Sequence, residues 1–435
     1  MAGAQTASQL DSQDWIERFS MRIIITADNA SARMGGEAFI PLNYFRLLLA
    51  RKQDVRLVVH ARNKSELTAL FPNDLDRLYF VDDTGLHKAL FRLGRFLPRR
   101  LADATTGLLM HLSTQFAQRR IIRGLTKAYD IDVVHVPIPV SPKMPSLMWG
   151  LGAAVVIGPL NGGMEYPKAF RRERSKLSNL SLTLGRWLAH FANVLFPGTL
   201  LADVVLVANH RTCQALPRGV SGQIAELVEN GVDFSVWQKS ARPANDPIRF
   251  IFIGRLIDWK ALDIVLDAVS CVYRQIPIFL EVVGDGPMRE SWQALSKRKG
   301  LGSVVTFSGW LPQGACAERL QHADVLILPS LFECGGAVVL EAMAMGLPVI
   351  ATGWGGPADY LDESCGILVK PDSRQALVDG FAGAMSKLAT SPQLRRDLGE
   401  AGYGRARAHF DWERKIDQIL KFYELAKQTR TTFKN

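Results

Sequence analysis

Short runs of apolar residues alternate with longer amphipathic stretches along most of the chain. Most residues within each run are apolar and they do not simply alternate with polar ones, which is typical of strands in a parallel sheet that helices cover on both faces. The first half of the chain has five such runs, at residues 22–26, 55–59, 133–136, 154–157 and 204–207. The second half has five more, at residues 249–253, 280–283, 304–307, 325–328 and 348–351.

A polar segment with two prolines, residues 238–247, separates two complete sets of strands and helices, and it is the best candidate for a linker. After about residue 372 the pattern is helical to the end of the chain. The pattern predicts an α/β protein with two facing Rossmann-like domains and an active cleft between them. We expect a disordered tail at residues 1–20, a first domain at 21–237, the linker, a second domain at 248–395, and C-terminal helices at 396–435 that pack back towards the first domain.

Composition narrows the class of protein. The 435 residues fit two or three domains of about 150 residues each, and 48% hydrophobic with 22% charged residues excludes a disordered or coiled-coil chain. A net charge of +10 favours anionic partners such as phosphates, nucleic acid or an anionic membrane. Five scattered cysteines indicate a reducing compartment rather than a disulfide framework. We find no secretion signal and no long apolar span, and therefore expect a cytoplasmic protein.

The densest chemistry follows the apolar run at 325–328. Glu333 comes just after the predicted strand, where ligands bind in open α/β sheets. Gly335 and Gly336 allow the backbone to approach a ligand, and the helix that follows offers its amino terminus to a diphosphate. Glu341 lies just over one turn past Gly336, and its carboxylate can accept hydrogen bonds from two ribose hydroxyls. The alternative is an ordinary glycine loop and a surface helix with one solvated glutamate.

Glu333 and Glu341, eight positions apart, match the E-x7-E signature of retaining glycosyltransferases with the GT-B fold, most closely family 4. Segments 230–233, 254–256 with Lys260, 283–287 and 309–310 occur in the order that this family has. The chain therefore resembles this family over nearly its whole length from about residue 21. The resemblance implies a nucleotide diphosphate sugar as donor. It also implies that Glu333 contacts the donor sugar, that Glu341 contacts the ribose, and that no cofactor or metal takes part.

Arg255 and Lys260 follow the run at 249–253, beside a glycine turn. Two cations there can neutralise a diphosphate and the charge that develops on it as a leaving group. An Arg/Lys pair at a helix start is otherwise usually solvated, but these positions match the diphosphate-binding residues of the family. We therefore predict Glu333, Arg255 and Lys260 as catalytic residues. Gly284 is predicted to form the wall of the nucleotide pocket, and Leu311 belongs to the loop that faces the base.

Two glycines of the first predicted domain, Gly35 and Gly36, follow the first strand and precede a helix. Related enzymes carry a glycine loop at this place, so we include both residues in the donor site, although a plain tight turn is the alternative. Asn161 begins a similar glycine loop, which is predicted to face the cleft.

Two histidines are further candidates for the cleft. His135 lies in the run at 133–136, and relatives have a second histidine two positions on, where this chain has Pro137. His135 is therefore either a core histidine or a cleft residue. His210 follows the run at 204–207 and is the other candidate.

Basic residues concentrate in two segments of the first domain. Eight Lys and Arg residues against one acid lie between residues 86 and 125, interleaved with leucine and phenylalanine. Six more against one acid lie between 168 and 190, followed by Trp187, Leu188 and Phe191. A basic face beside an apolar face is what a helix at an anionic membrane surface needs. The alternative is that the apolar residues are core. No nucleic-acid-binding motif occurs.

These observations favour a retaining, metal-independent glycosyltransferase. It would move a hexose from a nucleotide sugar to a glycan, lipid-linked or small-molecule acceptor, and would work in the cytoplasm or at the inner face of the membrane. Two alternatives are a nucleotide-sugar isomerase of the GT-B type, such as a 2-epimerase, and a catalytically inactive protein that binds sugar nucleotides.

Overall fold

The structure is a computed structural model that describes residues 20–96, 102–171, 191–240 and 245–434, without the side chains of residues 103, 104 and 432–434. The predicted tail up to residue 19 and residues 241–244 of the predicted linker lie outside this part of the chain. Two compact units make up the described residues. The first contains residues 20–163, 191–229 and 416–434, except for the gap at 97–101, and the second contains residues 164–171 and 230–415, except for the gap at 241–244.

The described part of the first unit is built around a sheet of seven parallel strands in the order β3-β2-β1-β4-β5-β6-β7. The strands are β1 (Arg22–Thr26), β2 (Asp54–His60), β3 (Leu78–Val81), β4 (Val133–Val136), β5 (Ala154–Leu160), β6 (Val204–Val207) and β7 (Gln223–Glu226). The helices are α1 (Gly36–Ala50), α2 (Lys64–Leu70), α3 (Gly85–Gly94), α4 (Leu108–Tyr129) and α5 (His210–Gln214).

The central strands of this sheet carry consecutive apolar residues because both of their faces are covered. Ile23, Ile24 and Ile25 of β1 are fully buried, although neighbouring residues of a strand point to opposite faces. An apolar cluster that contains Ile24 also includes Ile122 and Leu125 of α4. The apolar runs of the sequence therefore correspond to strands that are buried on both faces, as predicted.

The second unit contains a sheet of six parallel strands in the order β10-β9-β8-β11-β12-β13, within the described residues. Its strands are β8 (Ile248–Ile253), β9 (Ile278–Val283), β10 (Val305–Gly309), β11 (Val325–Leu328), β12 (Val349–Thr352) and β13 (Gly366–Val369). Its helices are α6 (Leu262–Val272), α7 (Arg289–Arg298), α8 (Gln313–Gln321), α9 (Ala337–Ala344), α10 (Gly356–Tyr360), α11 (Arg374–Thr390) and α12 (Pro392–His409). The last helix, α13 (Trp412–Lys434), begins in the second unit and belongs to the first from residue 416.

Each sheet has one place where the chain order reverses. In the first sheet it lies between β1 and β4, and in the second it lies between β8 and β11. In an open parallel sheet such a place leaves a crevice outside the carboxyl ends of the two strands, where ligands bind. The loops after β8 and β11 are therefore the first place to look for a site in the second unit.

The predicted α/β class with two Rossmann-like domains is confirmed, because each unit has a parallel sheet with helices. All ten predicted strands are present, several of them one to three residues longer than predicted. The sequence analysis missed three strands, β3, β7 and β13, and each of them is the last strand at an edge of its sheet. An edge strand is covered less, so its sequence need not be continuously apolar. The four residues of β7, for example, are all at least partly exposed.

Candidate functional site

The reversal point of the second sheet holds a pair of opposite charges. Lys260 lies in the loop after β8, and its Nζ donates a hydrogen bond to Oε2 of Glu333, which lies in the loop after β11. Only 13% and 15% of the two side chains are exposed. The structure thus brings together two of the three residues that were predicted to be catalytic, at the edge where a parallel sheet binds its ligands.

Glycine residues hold Glu333 in place. Gly336 has φ +91°, a conformation that favours glycine, and its missing side chain leaves room for Glu333, whose Cγ would be 3.1 Å from an added Cβ. The backbone oxygen of Glu333 accepts a hydrogen bond of 2.7 Å from the N–H of Gly356 in the next loop. A Cβ on Gly356 would lie only 1.8 Å from the oxygen of Gly335. The loop of Glu333 is therefore fixed by a contact that tolerates no side chain.

The wall of the predicted nucleotide pocket is built in the same way. Gly284 follows β9 with φ +139°, and an added Cβ would lie 1.9 Å from the oxygen of Gly254, which follows β8. The N–H of Gly284 donates to the oxygen of Gly309 at the end of β10. Three neighbouring strands thus end in glycines whose backbones touch, and the side chains of Lys260 and Arg289 lie beside two of these glycines.

Arg255 is exposed beside this edge and forms no ion pair with any described residue. Leu311 is partly exposed in the loop after β10, and its backbone oxygen lies 3.6 Å from Sγ of Cys316 on α8. Burial, with the nearby charges of Glu341 and Glu281, raises the pKa of the Cys316 thiol to about 11. Leu311 and Cys316 are therefore close to the helix that carries Glu341.

Glu341 lies on α9, which begins directly after the two glycines. The residue as a whole keeps some exposure, but protein atoms surround its carboxyl group closely and raise its pKa to about 7. No described residue donates a hydrogen bond to this carboxylate. Two hydroxyl groups of a ligand would supply the donors that the described residues do not.

The sequence analysis missed two buried hydroxyl groups at the same edge. Thr352 ends β12 and Ser330 follows β11, both side chains are fully buried, and neither hydroxyl has a hydrogen-bond partner among the described residues. The sequence does contain a signal for these two hydroxyl groups, since each of them comes at the end of an otherwise apolar run. It is weak, because a Ser or Thr at the end of a strand is common in loops without a ligand.

A short segment far away in the sequence also lies against this edge in the second unit. The indole N–H of Trp354 donates to the oxygen of Glu165, and the rings of Tyr166 and Phe332 are 5.3 Å apart. Phe332 directly precedes Glu333. Nothing in the sequence predicts these contacts, because they join positions about 170 residues apart.

In the first unit, Gly35 and Gly36 lie at the amino terminus of α1. Gly35 has φ +101°, and an added Cβ at either glycine would meet no atom within 4 Å. The two glycines are thus exposed to open space at the carboxyl edge of the first sheet.

An unpredicted charged pair lies at the same edge of the first unit, where Nδ1 of His111 is 2.5 Å from Oδ2 of Asp28. Burial alone would lower the pKa of His111, but the Asp28 carboxylate, together with a backbone hydrogen bond at Pro145 and the charge of Glu37, raises the pKa overall.

His135 is a core residue of the first unit, which is one of the two alternatives left by the sequence. Its side chain is fully buried, its Nε2 is 2.6 Å from the oxygen of Gly158, and its Nδ1 is 2.8 Å from the hydroxyl of Tyr423. Because a carbonyl only accepts, Nε2 carries the proton and the Tyr423 hydroxyl donates to Nδ1. Both ring nitrogens are therefore occupied within the unit.

The other two candidates of the first unit differ in their surroundings. Asn161 is buried, and its Nδ2 donates to Oε1 of Glu229 over 2.6 Å, which fixes the start of the predicted glycine loop. His210 is exposed at the start of α5, where its Nε2 is 2.9 Å from the side chain of Gln214.

Residues 233–405 match the family model for glycosyl transferases group 1. The D-inositol 3-phosphate glycosyltransferase of Kribbella flavida is 31% identical over 223 residues, which are 47% of this chain and 51% of that protein. The lipopolysaccharide core biosynthesis glycosyltransferase LpsE of Rhizobium meliloti is 31% identical over 180 residues, 41% of this chain and 50% of that protein. The chain thus spans about half the length of the curated relatives that it matches.

Two solved structures resemble the whole chain. Sucrose-phosphate synthase of Thermosynechococcus elongatus has a TM-score of 0.67 at 21% identity, and the match covers 93% of this chain and 98% of that one. HepE of Anabaena, solved with UDP-glucose, has a TM-score of 0.60 at 16% identity over 93% and 99% of the two chains. The chain has the GT-B fold, and residues 233–405 of its second half are similar to glycosyl transferases group 1. The predicted resemblance is confirmed at this level.

Replacing Gly356 by Ala should destabilise the protein by about 1–3 kcal/mol, because the new methyl group overlaps the oxygen of Gly335. The matched control is Gly383→Ala on α11, where an added Cβ meets no atom within 4 Å and alanine favours the helix. Urea unfolding should give a lower midpoint for the first variant and an equal or higher one for the second. Equal midpoints for Gly356→Ala and the parent would contradict the close contact.

The raised pKa of Glu341 predicts a pH dependence of stability. The carboxyl ionises near pH 4.5 in the unfolded chain and near pH 7 in the folded one, so the folded state holds an extra proton between these values. This contribution is fully present below pH 4.5 and is lost as the pH rises through 7. Glu341→Gln should therefore be more stable than the parent above pH 7, by ~1–3 kcal/mol, and the difference should vanish near pH 4.5. Urea midpoints at pH 5, 6, 7 and 8 measure it, and a difference that does not grow with pH would refute the assignment.

Proposed function

We propose that the protein is a retaining glycosyltransferase that moves a hexose from a nucleotide diphosphate sugar to an acceptor hydroxyl. The observation that carries the proposal is the half-buried pair of Lys260 and Glu333 at the reversal point of the second sheet, followed by Glu341 on α9. The family match of residues 233–405 and the UDP-glucose bound to HepE support it.

Each charged group has a distinct task in this proposal. Lys260 and the unpaired Arg255 bind the diphosphate and stabilise the charge that it gains as it leaves. Glu333 exchanges its bond with Lys260 for hydroxyl groups of the donor sugar. Glu341 accepts hydrogen bonds from the two ribose hydroxyls and becomes ionised as they bind.

The proposed chemical step is a substitution at the anomeric carbon. The bond from this carbon to the diphosphate oxygen breaks, and a bond to the acceptor oxygen forms on the same face of the sugar, so the configuration is retained. The proton of the acceptor hydroxyl passes to the departing phosphate oxygen. In this scheme the two cations carry the charge of the leaving group, and we include no metal ion or cofactor.

A lipid-linked glycan is the acceptor that the surface of the first unit favours. Helices α3 and α4, which pack on each other, contain no acidic residue. Large apolar side chains are exposed on and beside them, and Phe96 has 86% of its surface exposed. The other exposed apolar residues of this surface are Leu86, Phe91, Leu93, Leu109 and Phe116, and the exposed basic ones are Lys88, Arg92, Arg95, Arg120 and Arg123.

Apolar side chains interspersed with cations suit the surface of an anionic bilayer, where the rings enter the headgroup region and the cations meet lipid phosphates. Among the helices of the described ranges, none has both the length and the apolar character that a membrane span requires. The second basic segment falls largely at residues 172–190, which are outside the described part of the chain. We therefore propose contact with one face of the membrane through α3 and α4.

Glu333→Gln should lower the transfer rate at least tenfold, because its partner is the sugar, while the affinity for free nucleoside diphosphate changes little. Glu341→Ala is the matched comparison. It should weaken nucleoside diphosphate binding about ten- to a hundredfold, which corresponds to about 1.5–3 kcal/mol for the lost ribose contacts. Titration calorimetry and release of nucleotide from candidate donors measure the two effects. An equal loss of nucleotide affinity in both variants would disprove the division of tasks, and an epimerised nucleotide sugar as product would reveal the isomerase instead.

Phe91→Ser with Phe96→Ser should reduce binding to anionic vesicles at least tenfold, because each buried ring contributes about 1.5–3 kcal/mol. The control is Leu70→Ser with Leu75→Ser, which removes two exposed apolar residues elsewhere in the first unit. Flotation with vesicles of anionic or neutral lipid, at low and high salt, measures binding. If the parent protein does not bind anionic vesicles at low salt, the membrane proposal is contradicted, whereas the proposed donor chemistry is not affected.

A further inference from the structure

The second unit has a cavity away from the residues discussed so far. It has a volume of about 210 Å³ and lies between helix α8 and the neighbouring strands β8 and β9. Arg249 and Ile251 of β8 line it together with Phe279 and Glu281 of β9. These four residues lie on one face of the sheet, because Arg249 pairs in register with Phe279 and Ile251 pairs with Glu281. Residues Arg319, His322 and Ala323 of α8 and the turn after it close the other side.

The cavity is distinct from the proposed donor site. Arg249 and Phe279 are the second residues of their strands. His322 and Ala323 lie just before β11 begins. The cavity therefore opens at the amino edge of the sheet. Lys260 and Glu333 follow the carboxyl ends of the strands. Arg249 is four residues from the carboxyl end of β8, which is roughly 13 Å along the strand, so its guanidinium lies on the far side of the sheet edge from Lys260.

One of the cations that line the cavity has no acidic partner among the described residues. Two guanidinium groups, those of Arg249 and Arg319, line it together with one carboxylate, that of Glu281. This carboxylate already accepts a hydrogen bond of 2.5 Å from the hydroxyl of Ser308, and its Oε1 lies 3.6 Å from Nε of Arg319. Arg249 forms no ion pair with a described residue, and its guanidinium lies 5.9 Å from the ring centre of Phe279. The guanidinium of Arg249 is therefore available to an anion at a place with apolar walls.

Asp324, which precedes β11 and lies beside Arg249, already has two hydrogen-bond donors. Oδ2 of Asp324 accepts hydrogen bonds from the backbone N–H of Arg249, over 2.8 Å, and from the side chain of Asn245. Nδ1 of His322 lies 2.8 Å from the backbone oxygen of Glu318, so this nitrogen is the donor and the ring is held against α8. Asp324 keeps its negative charge near Arg249 but forms no ion pair with the Arg249 guanidinium, and His322 carries no negative charge.

We propose that this cavity binds a small anion with an apolar body, such as a phosphate monoester, whose anionic group is held between Arg249 and Arg319. Paired guanidinium groups bind phosphate and carboxylate oxygens with strong, directional hydrogen bonds. The apolar body rests against Ile251, Phe279 and Ala323. The volume is below the roughly 300–1,000 Å³ of pockets for drug-sized molecules, so the ligand has about ten non-hydrogen atoms. The inference does not depend on the proposed transferase activity.

Titration calorimetry at low salt with phenyl phosphate, inorganic phosphate and benzyl alcohol tests the proposal. Phenyl phosphate should bind most tightly, inorganic phosphate more weakly, and benzyl alcohol should not bind measurably. The double variant Arg249→Gln with Arg319→Gln should lose at least tenfold in affinity for phenyl phosphate. The control variant Arg274→Gln with Arg298→Gln removes the same charge from exposed positions of the same unit and should bind like the parent. Circular dichroism and thermal midpoints verify that both variants fold.

The Lys260→Ala protein is titrated in parallel, because the donor edge can also bind phosphate. Binding of phenyl phosphate that persists in Lys260→Ala and disappears in the Arg249/Arg319 variant assigns the ligand to the cavity. The proposal is overturned by any of three results. These are no binding of phenyl phosphate at millimolar concentration, equal loss in the control variant, and loss in Lys260→Ala alone.

Discussion

The second domain keeps two opposite charges, those of Lys260 and Glu333, largely out of water at the point where its sheet reverses. Removing charges from water costs free energy that a single ion pair seldom recovers, so such a pair is weak evidence of a contribution to stability. It does keep a cation and a carboxylate preorganised, each able to exchange its partner for part of a ligand. Glu341 adds a carboxylate that lacks a donor among the described residues and has a pKa near 7. Shielding Lys260, Glu333 and Glu341 from water at one edge of the sheet costs free energy. Their arrangement therefore indicates a site that binds a ligand with both negative charge and hydroxyl groups.

Backbone contacts, rather than side chains, hold these charges in position. Gly284 touches Gly254, Gly356 touches Gly335, and none of these contacts leaves room for a Cβ. The glycines thus fix these loops, because each contact joins the backbones directly. These backbone contacts explain why several strands of the second sheet are followed by glycine at the edge that carries Lys260 and Glu333.

The sequence allowed the α/β class, ten of the thirteen described strands and the loops that carry the candidate site residues of the second unit to be predicted, because these features are local. A buried strand is apolar throughout, and a functional loop follows it directly. The edge strands β3, β7 and β13 were not predicted, because a strand that is only partly covered need not be continuously apolar. His135 could not be assigned from its strand, because its partners Tyr423 and Gly158 come from distant parts of the chain. The contacts of Trp354 with Glu165, and of His111 with Asp28, were missed for the same reason.

A crystal structure of the protein with a bound nucleoside diphosphate, chosen by calorimetric screening of the common bases, tests the central claim most directly. We expect the diphosphate within hydrogen-bonding distance of Lys260 and Arg255, the ribose hydroxyls on the Glu341 carboxylate, and Glu333 free of the nucleotide and facing the place of the sugar. A nucleotide bound at any other edge of the second sheet, or one whose ribose makes no contact with Glu341, would contradict the claim.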